Sequence, residues 1–184
     1  MKNKLKFYAL FLCTLIVFGC SNDDDNGSSN DITAINLVTG VNAKSDVNNI
    51  FRLGNPNVRM PIGISSVAII AYPNPVISAL TIEISQTNEV MTDVWLVSAN
   101  AQQIYQDTDF DEILNENTYT VNEISQASVQ AFNGLSNTNI TLNLDGFSTG
   151  YYRVFIKTNQ SLYWDNIYID NNGTDITEFF ESWE

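Results

Sequence analysis

Histidine is absent from all 184 residues, and cysteine occurs only twice, at positions 13 and 20. The first absence removes His-based triads, imidazole zinc sites and the side chain most used as a general base near neutral pH. The second leaves no framework of disulfides. Cations are scarce: 8 Lys and Arg stand against 21 Asp and Glu, a formal net charge of −13. A chain so acidic repels phosphate, which excludes nucleic acid as a partner bound through a basic surface. Also missing are a G-x-S-x-G nucleophile elbow, a phosphate-binding loop and a dinucleotide fingerprint. No two carboxylates stand out as the pair that glycoside hydrolysis requires. The residue inventory therefore points away from an enzyme. What is present is apolar: 44% hydrophobic and 11% aromatic residues, enough for a buried core in a chain of one-domain length.

The N-terminus has the layout of a targeting segment. Lys2, Lys4 and Lys6 precede an apolar run from Phe7 to Phe18, interrupted only by Thr14. That run is too short to span a bilayer, which takes about 20 residues; a basic start and a short apolar stretch read as a secretory signal. The run ends in Val17-Phe18-Gly19-Cys20, which resembles a bacterial lipobox. The resemblance implies that residues 1–19 are removed and that Cys20 is lipidated, with the membrane as the partner held through that lipid. Ser21-Asn22-Asp23-Asp24-Asp25 resembles the export signal of Bacteroidota surface lipoproteins. It implies an outer-membrane protein at the cell surface, with Ser21, Asp23, Asp24 and Asp25 as the signal; a plain acidic tether is the other reading. Residues 20–30 then form an acidic and small-polar tether. Without residues 1–19 the chain has no thiol left besides Cys20, and five cations face 21 acidic residues, a net charge of −16.

The body divides into an N-terminal extension, residues 31–71, a β-rich segment, residues 72–170, and an acidic, aromatic tail, residues 171–184. In the extension, Ile32 to Val38 and Val67 to Ala71 suggest short strands, and Arg52-Leu53-Gly54-Asn55-Pro56-Asn57 reads as turn chemistry. In the second segment Leu80, Ile82 and Ile84 alternate with Thr81, Glu83 and Ser85, and Ile140, Leu142 and Leu144 alternate likewise. This is the pattern of antiparallel strands with one buried face. Val94-Trp95-Leu96-Val97 is apolar on both sides and predicts a central strand; Gln103–Gln106, Tyr151–Lys157 and Leu162–Ile169 predict further ones. The fold class expected is all-β: an immunoglobulin-like antiparallel β-sandwich with a short N-terminal β/loop extension.

Ala71-Tyr72-Pro73-Asn74-Pro75-Val76, then Val94-Trp95-Leu96-Val97, then Leu142-Asn143-Leu144-Asp145-Gly146 leading to Gly150-Tyr151-Tyr152 resemble, in order and spacing, the C-terminal sorting domain of the type IX secretion system. The resemblance covers roughly residues 71–170 and implies an immunoglobulin-like sandwich of about seven strands. Departures from the family pattern are the long stretch from Asp107 to Asn139, expected to hold a short strand at Tyr119–Val121 and a helical turn near Ser125–Phe132, and the tail beyond residue 170.

Two sites can be named. Asp107, Asp109 and Asp111 are the densest carboxylate cluster and the candidate for a low-affinity Ca²⁺ site, the one cofactor considered. It is no EF-hand, because Glu112 stands where Gly is needed and Thr118 where the bidentate Glu belongs. The second site is a surface of the last hairpin. A three-residue loop around Asn159 sets Arg153 opposite Asp165, turning Trp164 and Asn166 inward with Tyr152, Val154 and Ile156. It sends Tyr151, Phe155, Tyr163, Ile167 and Ile169 to the other side as a possible interface. A register shifted by one buries Asp165 beside Val154 with no partner in view, and is disfavoured for that reason. The expected role is a membrane-anchored, non-catalytic structural or protein-docking module of the envelope. The alternative is a surface module that binds carbohydrate or peptide through exposed aromatics. Partners to match are another envelope protein or a glycan.

Overall fold

The computed structural model describes residues 31–46, 48–61 and 68–183; Cys20, Ser21, Asp23, Asp24 and Asp25 lie outside the described residues. Among the described residues the strands are β1 (Leu37–Val38), β2 (Gly40–Lys44), β3 (Ile50–Gly54), β4 (Ala68–Tyr72), β5 (Ala79–Ser85), β6 (Met91–Ser98), β7 (Asn100–Ala101), β8 (Gln130–Asn137), β9 (Asn139–Asn143), β10 (Gly150–Thr158) and β11 (Leu162–Ile169). Three short helices accompany them: α1 (Phe110–Ile113), α2 (Val121–Ala127) and α3 (Ile176–Glu181).

Period-two alternation builds the centre. Leu80, Ile82 and Ile84 of β5 are buried while Thr81 and Glu83 are only half-buried. Antiparallel pairing places β5 between β4 and β9 in one sheet, and a second sheet runs β11-β10-β6-β8. Between the two lies the main core, where Ile69, Leu80 and Leu142 of the first sheet meet Leu96, Val154 and Ile167 of the second. With the seven strands of these two sheets lettered in chain order from β4, leaving out β7, which pairs with β1, the sheets are A-B-E and G-F-C, with the remaining strand added beside C. This is an immunoglobulin-like, all-β antiparallel sandwich. As its sequence predicts, β6 is central: Val94 and Leu96 face the core, and Trp95 and Val97 the opposite side.

That opposite side of the four-stranded sheet is covered as well. The long connection between β7 and β8 folds over it, and Phe110, Leu114, Tyr119 and Ile124 pack on Trp95, Phe155 and Trp164. Tyr119 stands edge-on to both Phe155, at 5.4 Å, and Trp164, at 5.0 Å. Helix α2 starts where Thr120 and Glu123 close a capping box, so the chain turns helical at Val121 and no strand forms at Tyr119–Val121. Nor is Gln103–Gln106 a strand; only Asn100–Ala101 pair, in parallel with β1. The β2–β3 hairpin and the tail helix α3 close the end of the same face, around Val38, Val41, Phe179 and Trp183. Residues 68–71, expected in the extension, belong to β4 and hence to the sandwich itself.

The last hairpin takes the register that had been disfavoured. Arg153 pairs with Asn166, Val154 with Asp165 and Phe155 with Trp164, around a turn closed by the Thr158 N–H donating to the Ser161 carbonyl. Tyr163, Ile167 and Ile169 therefore face the sandwich core, and Trp164 and Asn166 lie on the outer side, the reverse of the expected placement. The shift is tolerated because Asp165 is not alone: Lys44, 121 residues away in sequence, brings its ammonium to Asp165 Oδ2 inside the protein. A buried carboxylate with a buried cation in contact avoids the cost that argued against this register.

Candidate functional site

The expected interface is not a free surface. Phe155, Tyr163, Ile167 and Ile169 are buried, and Tyr151 is half-covered by Phe179 and Trp183 of the tail. The β10–β11 register is one residue off the expected one, which turns β11 over, so three of the five belong to the core. The remaining two, Tyr151 and Phe155, do face outward but beneath chain segments from elsewhere.

Those segments are held by polar contacts. Arg153, fully buried, donates from Nε to Asn166 Oδ1 at 3.1 Å, from Nη1 to the Tyr119 hydroxyl at 2.7 Å, and from Nη2 to the Leu37 carbonyl. Burial pulls the guanidinium pKa below its ordinary value, and the Tyr119 hydroxyl opposes that fall. Asn166 Nδ2 donates to the Gly40 carbonyl and to Asn57 Oδ1, both at 2.8 Å. The Asn57 carbonyl in turn accepts from the Trp164 indole N–H at 3.1 Å. On the other side Asn74, between two cis X-Pro bonds, exchanges backbone hydrogen bonds of 2.7 Å with Lys44. Its Nδ2 donates to the Asn42 and Asn166 carbonyls, and its Oδ1 accepts from the Tyr168 N–H. Asn74 thereby ties β2 to β11. At the far end of the sandwich buried Glu89 accepts from Thr158 Oγ1 at 2.5 Å and from the Tyr163 hydroxyl at 3.2 Å. Among the described residues no buried side-chain nitrogen or oxygen lacks a partner.

A cleft of about 540 Å³ opens between the β2–β3 hairpin and the start of α1, a volume in the range that accepts small ligands. Asn42, Arg52 and Asn55 line one wall, and Gln106, Asp107 and Asp109 another. The Asp cluster read from sequence thus reaches a concave surface, and Asp107, Asp109 and Asp111 are all exposed on its rim. They do not converge. Asp109 is the N-cap of α1, accepting from the Asp111 N–H at 3.0 Å. Among the described residues no three carboxylates are grouped to hold a metal ion. Arg52 leans on Asn55 Oδ1, and Asn55 is fixed by donating to the Tyr105 and Thr108 carbonyls at 2.8 Å. The cleft offers amides, carboxylates and one guanidinium, a wall suited to hydrogen-bonding a polar ligand. Among the described residues Phe51 is the one aromatic classed as exposed, and it points away from Arg52, so no row of exposed aromatics lines the cleft.

Sequence reasoning missed Asn57, Asn74 and Asn166 as structural amides and Lys44–Asp165 as a pair. The available signal was Lys44 directly after the alternating Val41 and Ala43, where a solvated cation was not the only choice. Comparison with protein families, with curated proteins and with solved structures finds no match to this chain.

Proposed function

We propose that this chain is a lipid-anchored protein of a bacterial cell envelope whose sandwich is a non-catalytic structural module that docks another envelope protein. The observation that carries the reading is the use made of the groups capable of chemistry. Lys44, Glu89, Arg153 and Asp165 are buried, and each is engaged by partners within the chain. Histidine is absent and the thiol of Cys20 is assigned to the lipid, so an imidazole base, a thiol nucleophile and soft-metal ligands are all wanting. The tether of residues 20–30 places the folded body close to its membrane, and Ser21 with Asp23, Asp24 and Asp25 directs it to the outer face of the outer membrane.

Replacing Cys20 with Ser tests the anchor: the protein is expected to leave the membrane fraction, and retention through a carbonate wash overturns the assignment. Changing Asp23, Asp24 and Asp25 to Ala is expected to abolish protease accessibility in intact cells; unchanged digestion leaves those residues as a tether. In-cell crosslinking of the anchored chain is expected to give a discrete protein adduct.

A second reading, a carbohydrate-binding module, is favoured by the polar cleft alone. It puts Arg52, Gln106 and Asp107 in contact with hydroxyl groups. Asp107→Ala, at an exposed side chain of the cleft, is then expected to weaken glycan binding without changing the melting temperature.

A further inference from the structure

An asparagine followed by glycine is chemically unstable where the backbone is free to bend. The glycine nitrogen, with no side chain beside it, attacks the carbonyl carbon of the asparagine side chain. Two such pairs lie among the described residues, Asn133-Gly134 and Asn172-Gly173; a third, Asn26-Gly27, lies outside them. Space does not separate the two, since a Cβ added at Gly134 or at Gly173 would meet nothing within 4 Å. The backbone does. Asn133 stands in β8, paired with Asp93 of β6, and an extended strand keeps the following nitrogen away from the side-chain carbonyl. Asn172 belongs to no helix or strand, and both it and Gly173 are exposed.

The neighbours of Asn172 are fixed. Asn171 donates from Nδ2 to the Phe147 carbonyl at 2.6 Å, and its N–H donates to Thr149 Oγ1 at 3.0 Å. Asp170 Oδ1 accepts from the Thr174 N–H at 2.9 Å. That bond is the main reason its carboxyl lies below the ordinary carboxylate range. Past Thr174 the chain enters α3, whose Phe179 is buried together with Trp183 against Val38 and Val41. Asn172 is therefore the unheld residue of the link between the sandwich and its tail.

We propose that Asn172 is a self-modification site, converted in the folded protein to aspartate and isoaspartate, and that the conversion loosens the tail. In the first step the Gly173 nitrogen bonds to Asn172 Cγ, the Cγ–Nδ2 bond breaks, and the Gly173 amide proton leaves with the ammonia. Water then opens the cyclic succinimide. Breaking its bond from nitrogen to Cγ gives aspartate; breaking the bond to the main-chain carbonyl gives isoaspartate, whose backbone runs through Cβ and Cγ. The sum is amide plus water to carboxylate plus ammonium, and no oxidant or cofactor takes part. Either product sets a new negative charge between Asp170 and Asp175, on a stretch, residues 171–184, that holds no cation. Isoaspartate also lengthens the backbone between the anchored Asn171 and Thr174, which pulls the Thr174 N–H from Asp170.

The soluble Cys20→Ser chain, held in mildly alkaline buffer, tests the site by peptide mass spectrometry. Trypsin cuts after Arg153 and Lys157, which places the two pairs in different peptides. Asn172 is expected to convert while Asn133 stays an amide, the product being recognised by its mass and by isoaspartate fragments. The same chain in urea is expected to convert at both pairs and supplies the reference rate. Native Asn172 as resistant as native Asn133, beside conversion in urea, overturns the site; equal native conversion of the two overturns the selection by the fold. Chymotrypsin reads the tail. Aged chain is expected to be cut at Phe179 and Phe180 several-fold faster than fresh chain, whereas Asn172→Gln, whose longer side chain cyclises poorly, is expected to keep the fresh rate after the same incubation. Equal cutting of fresh and aged chain, or equal ageing of Asn172→Gln, overturns the link between this conversion and the tail.

Discussion

The inner face of the β10–β11 hairpin meets another sheet, whereas its outer face meets three segments that arrive from separate parts of the chain. Tyr152, Val154, Ile156, Tyr163, Ile167 and Ile169 make the inner face almost wholly apolar. On the outer face Arg153 and Asn166 sit among Tyr151, Phe155 and Trp164, and both are completely buried. The contrast follows from what each face must satisfy. A facing sheet has its backbone groups already paired in ladders, so apolar side chains suffice. Short strand ends and loops such as Leu37–Gly40 and Asn55–Asn57 bring carbonyls that a sheet ladder does not fully pair, and burying them demands donors. Arg153 and Asn166 supply those donors, as the bonds to the Leu37 and Gly40 carbonyls record.

One charge breaks the rule for the inner face, and removing its partner gives the largest expected effect. Lys44→Met leaves Asp165 buried and unpaired, a loss of about 3–5 kcal/mol. Adding Asp165→Leu is expected to restore all but about 1–2 kcal/mol, the residue being the Asn166 N–H that loses its acceptor. Urea unfolding of the soluble Cys20→Ser chain measures both. A double variant as unstable as the single one would show that Asp165 is not held by Lys44.

Two of the three tryptophans on the outer side sharpen the comparison further. Trp164 is fully buried on a sheet strand, under Tyr119 and Phe155. Trp164→Ala is expected to cost about 3–5 kcal/mol, because the strand cannot move away from the cavity. Trp183 is 8% exposed on a tail with a free path to solvent. Trp183→Ala is expected to cost only about 1–2 kcal/mol, since a lifted tail regains conformational entropy and leaves no enclosed void. In a Phe179→Ala background the same substitution is expected to add little, because both remove one docking event.

Alternation made the inner face legible. Leu80, Ile82 and Ile84, and Tyr152, Val154 and Ile156, read directly as core, since a facing sheet imposes a period of two. The outer layer was not legible in the same way. Arg153 and Asp165 are ordinary charges to a local reading, and the partners that bury them stand far away: Leu37 is 116 residues from Arg153, and Lys44 is 121 from Asp165. The register error at β10–β11 came from that distance. A local argument priced Asp165 as unpaired, and no sequence pattern announced Lys44. The cleft was half-legible: Asp107, Asp109 and Asp111 were visible as a cluster, but Arg52 and Asn42 reach them only through the fold.

The smallest expected effect concerns the seam where the outer layer meets the tail. Burial raises the pKa of the Tyr151 phenol above its ordinary value; the hydrogen bond from Trp183 favours the ionised form and the neighbouring Tyr168 opposes it. A phenol is neutral when protonated, so the unfolded chain, with its lower pKa, releases this proton first as pH rises. The stability that Tyr151 contributes is therefore complete below about pH 10 and declines as pH climbs through the raised folded value. Tyr152 and Tyr163 are shifted in the same direction, both chiefly by burial, so the whole protein is expected to weaken in that range. Tyr151→Phe separates the tail from the rest. It removes one titration and the acceptor for Trp183 Nε1, so the variant starts slightly less stable near neutrality and falls less steeply between about pH 9 and 11. Urea midpoints across that range decide it. Equal slopes for the two chains would place the titrating tyrosines in the sandwich and leave the tail indifferent to pH, because Tyr151 is the phenol in contact with both Phe179 and Trp183.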